Sequence, residues 1–349
     1  MKSLSAKFKG IIMQVALVAT ALFVAACDTI LDNGYGDCTV RYHVAFKYDY
    51  NMLSVDAFDQ QVDSVRLYAF DPATGVLVHQ TTSSSRAIRE NEGRMTVEFN
   101  PQEYHLVTWC HNTGCHTTEL PDMACGLSTI DEMRCRIGGR TQTSDGCTEV
   151  CEIGPIFHGE AVCPQPVNGE DELNPTFLIP LVKNTNNVRI ILQNLSDEPL
   201  LAEDFDFKFV EENGMMNYDN SLLPDEELTY VPFYTGQGDV DYEGTRAGDE
   251  AVTKLNVAIG EFTLGRLMAD RHPRLTVTNR QTGDVVFSIP LTDYLKLARS
   301  QYVRGMSDQE YLDREDSYSV TFFLGEDKTW MSASILVNSW RVVLMDVDL

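Results

Sequence analysis

The residues with the widest chemistry in this sequence are cysteines, because thiols can pair as disulfides, bind metals or act as nucleophiles. The chain has nine cysteines, and eight remain when Cys27 near the start is set aside. Seven of these eight fall between residues 110 and 163. An even count in an exported protein predicts disulfides without fixing which thiols pair. The candidate disulfide partners are Cys38, Cys110, Cys115, Cys125, Cys135, Cys147, Cys151 and Cys163.

A zinc site is the alternative interpretation of the same segment. Its candidate ligands are Cys110, His111, Cys115, His116, Cys147, Cys151 and His158. Cysteines of exported proteins pair with each other more often than they hold a metal, so disulfides are favoured over zinc. A catalytic cysteine is a single poised thiol beside a base, and a cluster of seven indicates a structural role instead.

One acidic stretch has most of the ligand spacing of a calcium-binding loop. Asp239, Asp241, Glu243 and Glu250 occupy its positions one, three, five and twelve, and a glycine fills position six. The stretch departs from the pattern where Arg246 replaces an apolar residue, and neither flank has the periodicity of a helix. Because acidic residues are abundant in this chain, we interpret the match as coincidence and predict no metal and no cofactor.

The usual enzyme motifs are missing from the sequence. It contains no Gly-x-Ser-x-Gly elbow, no His-Glu-x-x-His pair and no phosphate-binding loop. We therefore predict a protein that is not an enzyme. Exposed tryptophans that stack on sugars would instead indicate a glycan-binding protein, and the candidates are Trp109, Trp330 and Trp340.

Cys27 stands apart from the other cysteines because of what precedes it. A segment with three lysines is followed by a mostly apolar run over residues 11–24 and then by Ala25 and Ala26. This order is typical of a secretory signal peptide, and a cysteine directly after small residues resembles the lipobox of bacterial lipoproteins. We predict a signal peptide over residues 1–26 and a lipid on the thiol of Cys27. A transmembrane helix is the alternative, but the run is short for a span and is interrupted by Gln14.

The net charge limits the surfaces that the protein can bind. The formal charge is −25, and removing a leader with three lysines and no acids makes the mature chain more acidic still. Such a chain is repelled by nucleic acid and by anionic bilayers. Attachment to a membrane would therefore have to come from the lipid and not from a basic patch.

The patterning of the mature chain predicts an all-β fold. Apolar and polar residues alternate over 40–48, 95–99 and 205–209, and turn-forming clusters separate these runs. The best of few helix candidates is 293–304. Many short strands with few helices indicate β-sandwiches. An acidic run ending in proline suggests a boundary, which divides the chain into a tether at 27–37, a first sandwich with cysteine-rich loops at 38–174, and a second sandwich at 175–349.

Several stretches in both halves together resemble the FimB-type family of fimbrial anchor subunits. They are residues 38–52, Asp56-Ala57-Phe58, Val65 to Asp71, Leu181 to Asn187, Arg266-Leu267-Met268, Pro273 to Val277, Gln309 to Asp316, and Ile335 to Trp340. The resemblance implies two transthyretin-like Greek-key β-sandwiches in tandem. It also implies a lipoprotein on the outer membrane, exposed at the cell surface, that holds type V fimbriae. The dense cysteine segment departs from the family pattern.

In that family, subunits are thought to join when one chain adds a strand to the sheet of a neighbour. A terminal strand can leave its own sheet without breaking chain connectivity, so we predict that the last strand, Ile335 to Leu349, lies at the contact with the fimbrial shaft. The contact residues would be Ile335, Val337, Trp340, Val342 and Leu344. The alternative function is a surface glycan-binding lipoprotein of a polysaccharide-uptake system.

Overall fold

The computed structural model describes residues 40–100, 102–114, 117–163, 176–194, 200–242, 253–299, 305–325, 328–338 and 340–343. The predicted signal peptide, Cys27 and the tether lie outside these residues. In the described residues, no helix is long and apolar enough to cross a membrane.

Short strands dominate the described chain. The strands are β1 Val40–Lys47, β2 Ser64–Phe70, β3 Leu77–Ser84, β4 Arg94–Phe99, β5 Tyr104–His111, β6 Thr118–Glu119, β7 Cys135–Ile137, β8 Thr141–Gln142, β9 Thr148–Val150, β10 Ile156–Cys163, β11 Thr176–Lys183, β12 Thr185–Asn194, β13 Phe205–Glu211, β14 Met215–Met216, β15 Leu228–Tyr230, β16 Tyr234–Tyr242, β17 Thr253–Gly265, β18 Arg274–Asn279, β19 Val285–Pro290, β20 Ser317–Leu324, β21 Trp330–Val337 and β22 Trp340–Val343. The helices are α1 Phe58–Gln61, α2 Ser85–Glu90, α3 Leu291–Leu297 and α4 Asp308–Arg314. The predicted all-β class is confirmed.

The first sandwich is a seven-stranded sheet that folds over on itself, in the order β3-β2-β5-β10-β11-β1-β4. The sheet turns from one layer to the other at strand β11. The first five residues of β11 pair in parallel with β1, and its last three pair with β10. Side chains from both layers, such as Val44, Leu67 and Leu106, are fully buried between them. The opposite face of β2 and β5 is also buried, since Tyr68 and Trp109 belong to a second apolar cluster.

That second cluster is the core of the second sandwich. One sheet has the order β16-β17-β12-β20-β21-β22 and the other has the order β19-β18-β13-β15-β9-β8. The alternation predicted for residues 205–209 is observed in β13, where Phe205, Phe207 and Phe209 are buried and the residues between them are half-buried. The two sandwiches therefore share apolar contacts and are not separated by solvent.

Strand pairing crosses the boundary that we predicted at 174/175. Strand β11 follows that boundary in the chain but belongs to the first sandwich. In the other direction, β8 and β9 come from the cysteine-rich segment but extend a sheet of the second sandwich, where β9 pairs in parallel with β15. The same segment contributes β6 and β7 to a small sheet with β14. The segment is thus an arm of the first half that packs on the second, and not a set of loops on the first.

Strand β3 runs directly into α2, where the Ser84 hydroxyl caps the helix by accepting a hydrogen bond from the Ala87 amide. Two local predictions are corrected by the structure. The helix predicted over 293–304 is described as α3 and begins earlier, at Leu291. The last strand is a hairpin and not one strand, because the chain reverses after Asn338, which has a φ of 47°. Asparagine tolerates this left-handed conformation better than most residues.

The pairing of β10 with β11 requires a close approach of the two strands at Gly159 of β10. A Cβ atom at this position would lie 2.6 Å from Ile179 Cγ2 and 2.8 Å from the Pro180 carbonyl oxygen. The second neighbour is backbone and cannot rotate away. We therefore expect Gly159→Ala to reduce the free energy of unfolding by about 1–3 kcal/mol, measured by urea denaturation.

The matched control is Gly238→Ala in β16, where the nearest atom to an added Cβ is Val257 Cγ2 at 3.8 Å. Its effect on the free energy of unfolding should stay within about 0.5 kcal/mol. Equal effects of the two substitutions would contradict the steric account of Gly159.

Candidate functional site

A set of buried and half-buried polar side chains lies where the two sandwiches meet, and we call it the junction. Only Asn184 separates the end of β11 from the start of β12, so the chain passes from one sandwich to the other in a single residue. The junction residues are Lys183, Asn184, Asn220, Arg266, Gln309, Asp313 and Asp316. Buried polar groups are costly unless they are paired, so their partners decide what the junction does.

Arg266 and Asp313 form the centre of the junction. The guanidinium donates from Nε to Oδ1 at 2.9 Å and from Nη2 to Oδ2 at 2.8 Å, and both side chains are about nine-tenths buried. Helix α4 places Asp313, and Ser307 caps that helix by accepting a hydrogen bond from the Glu310 amide. Gln309, one turn earlier, donates to Asp313 Oδ1 at 3.0 Å and accepts from the Ala269 amide at 2.9 Å. Helix α4 is thereby fixed to the loop after β17.

A second ion pair connects that helix to the first sandwich. The ammonium of Lys183 lies 2.5 Å from Asp316 Oδ2 and donates to Gln61 Oε1 in α1 at 3.0 Å. Nearby, the Arg314 guanidinium lies 4.1 Å from the centre of the Tyr50 ring. This contact is of the cation–π type. The ion pair joins β11 of the first sandwich to the residue directly before β20 of the second.

Asn184 and Asn220 hold each other by two reciprocal hydrogen bonds. Each amide nitrogen donates to the other residue's oxygen, at 2.6 and 3.1 Å. Asn220 has a φ of 65° and its backbone carbonyl accepts a hydrogen bond from Arg266. The turn around Asn220 is therefore tied both to the chain crossover and to the central ion pair.

His158 is a buried titratable group in β10 of the first sandwich, beside the junction. Its Nε2–H donates to the Tyr218 carbonyl at 2.6 Å, and its ring packs 4.8 Å from that of Trp109. Burial lowers the pKa of His158 to about 4, although Glu160 and Asp219 act in the opposite direction. The ring is therefore neutral at physiological pH, which fits its role as a donor within an apolar site.

The structure does not support disulfides between the cysteines that it describes. Cys110, Cys135 and Cys163 are buried, whereas Cys125, Cys147 and Cys151 are exposed, and no disulfide joins any two of these six. Burial raises the pKa of the thiols of Cys110 and Cys163 to about 12. Cys110 and Cys135 also belong to different apolar clusters, which separates them. Cys38 and Cys115 lie outside the described residues.

The two metal hypotheses do not gain support either. Over the described ranges, no three His, Cys, Asp or Glu side chains are grouped to hold a metal. His158 donates to the Tyr218 carbonyl instead, and His116 lies outside the described residues. Asp239 and Asp241 lie in β16, paired with Asn256 and Lys254 of β17. Such an extended strand is not the compact turn with which a calcium loop begins, and Glu243 and Glu250 lie outside the described residues.

Trp109 is fully buried and donates its indole N–H to the Met133 sulfur, so it is not available to stack on a glycan. Trp330 is half-buried and packs against Phe287 and Phe322. Both tryptophans therefore serve the core, and the side chain of Trp340 lies outside the described part of the chain.

The predicted shaft-contact residues divide into two groups. Ile335 and Val337 in β21 are fully buried in the second sandwich. Trp340 and Val342 lie in β22, which is the edge strand of its sheet. Leu344 lies outside the described residues, as does Cys27.

The fold and the junction define the class of the protein: a tandem β-sandwich protein in which buried ion pairs hold the two sandwiches together. Comparison with known proteins then identifies the family. The family model of the Mfa2 proteins, described as fimbrillin-A associated anchor proteins Mfa1 and Mfa2, matches residues 35–346, so the chain belongs to this family. The predicted resemblance to fimbrial anchor subunits is confirmed, and the family associates the protein with fimbriae at the cell envelope.

Individual relatives agree with this family. The minor fimbrium anchoring subunit Mfa2 of Porphyromonas gingivalis is 20% identical over 329 residues, which cover 93% of this chain and 92% of its own. A candidate polysaccharide-binding protein of Bacteroides thetaiotaomicron is 29% identical with a TM-score of 0.72, covering 88% of this chain and 99% of its own. A candidate adhesin of the same species is 25% identical with a TM-score of 0.76, covering 90% and 100%.

Sequence reasoning used the junction residues as family markers but missed that they touch. The resemblance is carried in part by Leu181 to Asn187, Arg266 to Met268 and Gln309 to Asp316, and the structure brings these three stretches together. The signal available in the sequence is Lys183, a lysine that directly follows the apolar residues Leu181 and Val182. A charge in that position indicates a buried partner.

We expect the Arg266–Asp313 pair to be strongly coupled. Removing one partner by Arg266→Met or Asp313→Leu leaves a buried charge unpaired, which should lower the free energy of unfolding by about 3–5 kcal/mol. The double variant should lose less than the sum of the two single losses, by about 2 kcal/mol or more. Urea denaturation of the four proteins gives this coupling energy.

The control is the exposed pair Arg86–Glu90 in α2, whose side chains are 81% and 65% exposed. The same cycle with Arg86→Met and Glu90→Leu should give a coupling of about 0.5 kcal/mol or less. Similar coupling energies for the two pairs would contradict the role of the junction.

The neutral state of His158 predicts a stability that depends on pH. The folded protein has a pKa near 4 at His158, below the ordinary value of 6.5, so the unfolded state binds more protons between these values. Stability should therefore fall as the pH drops through that window, by about 2 kcal/mol between about pH 7 and about pH 5. His158→Gln keeps a donor that cannot titrate, so the variant should lose this pH dependence and its stability should differ from that of the native protein by an amount that changes between about pH 7 and about pH 5. Parallel pH profiles would exclude His158 as the cause.

Proposed function

We propose that the protein is a non-enzymatic, lipid-anchored subunit that holds a fimbria to the outer membrane at the cell surface. The observation that carries the proposal is the family match over residues 35–346, which begins shortly after the predicted lipid attachment site at Cys27. A multiply acylated cysteine provides the two lipid signals that stable anchoring needs. The fimbrial role is inferred from the family, and the attachment to the membrane is inferred from the predicted signal peptide.

The fold supports such a role because the two attachment points are at opposite ends of the chain. The lipid would be at Cys27, before β1, and the fimbrial shaft would bind near the C terminus. We propose that β22 and the residues after it, with Trp340, Val342 and Leu344, form the shaft contact. Ile335 and Val337 stay in the core and hold the base of that hairpin. A tensile force on the shaft would then be transmitted through both sandwiches and the junction to the lipid.

A fimbria is an open polymer of head-to-tail contacts, which repeats until a subunit terminates it. A subunit with one end fixed to lipid and one contact like that of the shaft performs this termination. The proposed partners are therefore the shaft subunits and the outer membrane, with no cofactor and no nucleic acid.

Exchange of residues 1–27 for a cleavable signal peptide without a cysteine tests the lipid anchor. We expect the protein and its filaments to leave the membrane fraction together and to appear in the culture medium, measured by immunoblot and electron microscopy. Metabolic labelling with a radioactive fatty acid should mark the native protein and not the variant. Filaments that stay on the cells expressing the variant would contradict the proposal.

Deletion of residues 340–349 tests the shaft contact separately. The truncated protein should stay in the membrane fraction while filaments are shed without it. A truncated protein that still retains filaments on the cell would show that the contact lies elsewhere. Circular dichroism of the purified variant verifies that the second sandwich still folds.

A further inference from the structure

Among the ion pairs that the structure describes, Lys183 is the lysine with the least exposed side chain, at 7%. Its ammonium nitrogen lies 2.5 Å from Asp316 Oδ2 and 3.0 Å from Gln61 Oε1. The centre of the Phe157 ring is 6.0 Å from the same nitrogen, and the Tyr48 ring packs on that of Phe157 at 5.0 Å. A lysine nitrogen and a carboxyl group are therefore in direct contact beside two aromatic rings.

The fold holds both members of this pair in place. Lys183 ends β11 and is paired with Phe157 of β10. Asp316 directly precedes β20, and its carbonyl accepts a hydrogen bond from the Asn187 amide of β12 at 2.8 Å. The two residues are 133 positions apart in the chain, so the fold and not the local sequence brings them together. Groups held in this way react as if their concentration were very high, with effective molarities of about 10⁵–10⁸ M in well-oriented cases.

Burial makes the charged state of this pair costly. An ammonium and a carboxylate that leave water lose hydration energy that their mutual attraction only partly returns. Passage of one proton from the ammonium to the carboxylate removes both charges and leaves a neutral amine, which is a nucleophile. The Asp316 Cγ atom is one C–O bond beyond Oδ2, so it lies close to the separation of about 3–3.5 Å at which such groups react.

A hydroxyl group without a partner lies beside these two residues. In the described part of the chain, the Tyr48 oxygen is buried and has no hydrogen-bond partner. Burial raises the pKa of Tyr48, and the charges of Asp316 and Glu315 raise it further, so the hydroxyl is near both carboxyl groups. A buried donor of this kind stabilises the oxygen that becomes negative when an amine adds to a carboxyl group. Burial also raises the pKa of Glu315 to about 7, so this neighbour can exchange a proton near neutral pH.

We propose that Lys183 and Asp316 condense to an amide bond that joins the two sandwiches covalently. One ammonium proton passes to the carboxylate, and the amine nitrogen then attacks Cγ of Asp316. The Nζ–Cγ bond forms and one Cγ–O bond breaks. The departing oxygen leaves as water with two of the three ammonium hydrogens, and the third stays on the amide nitrogen, where it can still donate to Gln61. The opposite charges cancel, so the step needs no oxidant and no further reactant.

The surroundings suit such a bond. The side chain of Asp316 is 27% exposed, which gives the water a way out, whereas the lysine is enclosed. Because the bond would close a loop between residues 133 positions apart, it would restrict the unfolded chain as a disulfide does. Unlike a disulfide, it would resist reduction. The inference stands on the junction alone and does not depend on the fimbrial role.

The ion pair Lys47–Asp49 provides a control within the same chain. Its nitrogen and oxygen are 2.6 Å apart, but the two side chains are 42% and 38% exposed. Water hydrates both charges at such a site, so the charged state is not costly there. Condensation should therefore occur at Lys183 and not at Lys47.

Mass spectrometry of the purified mature protein, denatured and digested with trypsin, tests the proposal. Trypsin does not cleave after a lysine whose amine is blocked. The expected product is a branched species of residues 141–189 and 315–328, lighter by one water molecule than the two peptides together. Fragmentation should place the link between Lys183 and Asp316, while cleavage after Lys47 proceeds normally.

Separate, unmodified peptides, one ending at Lys183 and one beginning at Glu315, would overturn the proposal and leave only an ion pair. A species lighter by one ammonia molecule, with Lys183 linked to Gln61, would also overturn it, because an amide and not the carboxyl group would have reacted. A link at Lys47 as frequent as that at Lys183 would contradict the role of burial.

Denaturing gel electrophoresis of variants gives a second result by a different method. In Lys183→Arg, the guanidinium can still pair with Asp316 but stays protonated and does not attack a carboxyl group. With reductant present, the native chain should migrate faster than this variant, because a closed loop keeps the denatured chain compact. Lys47→Arg is the matched control and should migrate like the native chain. Equal migration of all three proteins would contradict the covalent link.

Discussion

The structure depends on the Arg266–Asp313 ion pair and on the buried polar contacts around it. A buried ion pair contributes little net stability compared with apolar packing, but breaking one partner is very costly. Such a pair therefore fixes geometry more than it adds free energy. Here it fixes α4, the loop after β17 and the turn at Asn220 relative to one another. Lys183 then connects this assembly to the first sandwich.

The consequence is that two sandwiches behave as one body. The chain crosses between them within a single residue, and the apolar cluster of the second sandwich includes Tyr68 and Trp109 from the first. The arm that carries β8 and β9 adds a further connection, where Arg140 bonds to Asp225 and Glu226 of the second half. In the proposed anchoring role such rigidity is useful, since a loose joint would extend before it transmitted force.

The sequence predicted strands well where buried and half-buried residues alternate, as in β1 and β13, because period two is then visible. It failed for the cysteine-rich arm, whose very short strands β8 and β9 are specified by partners distant in sequence. Pairing across 80 residues leaves no local pattern. The junction was missed for the same reason, since Lys183 and Asp316 are 133 residues apart in the sequence.

The central claim is that the junction makes the two sandwiches a single cooperative unit, and differential scanning calorimetry of the mature chain tests it most directly. The account predicts one transition, with the van't Hoff enthalpy of unfolding equal to the calorimetric enthalpy. Two resolved transitions, or a calorimetric enthalpy well above the van't Hoff value, would show that the sandwiches unfold independently and would contradict it.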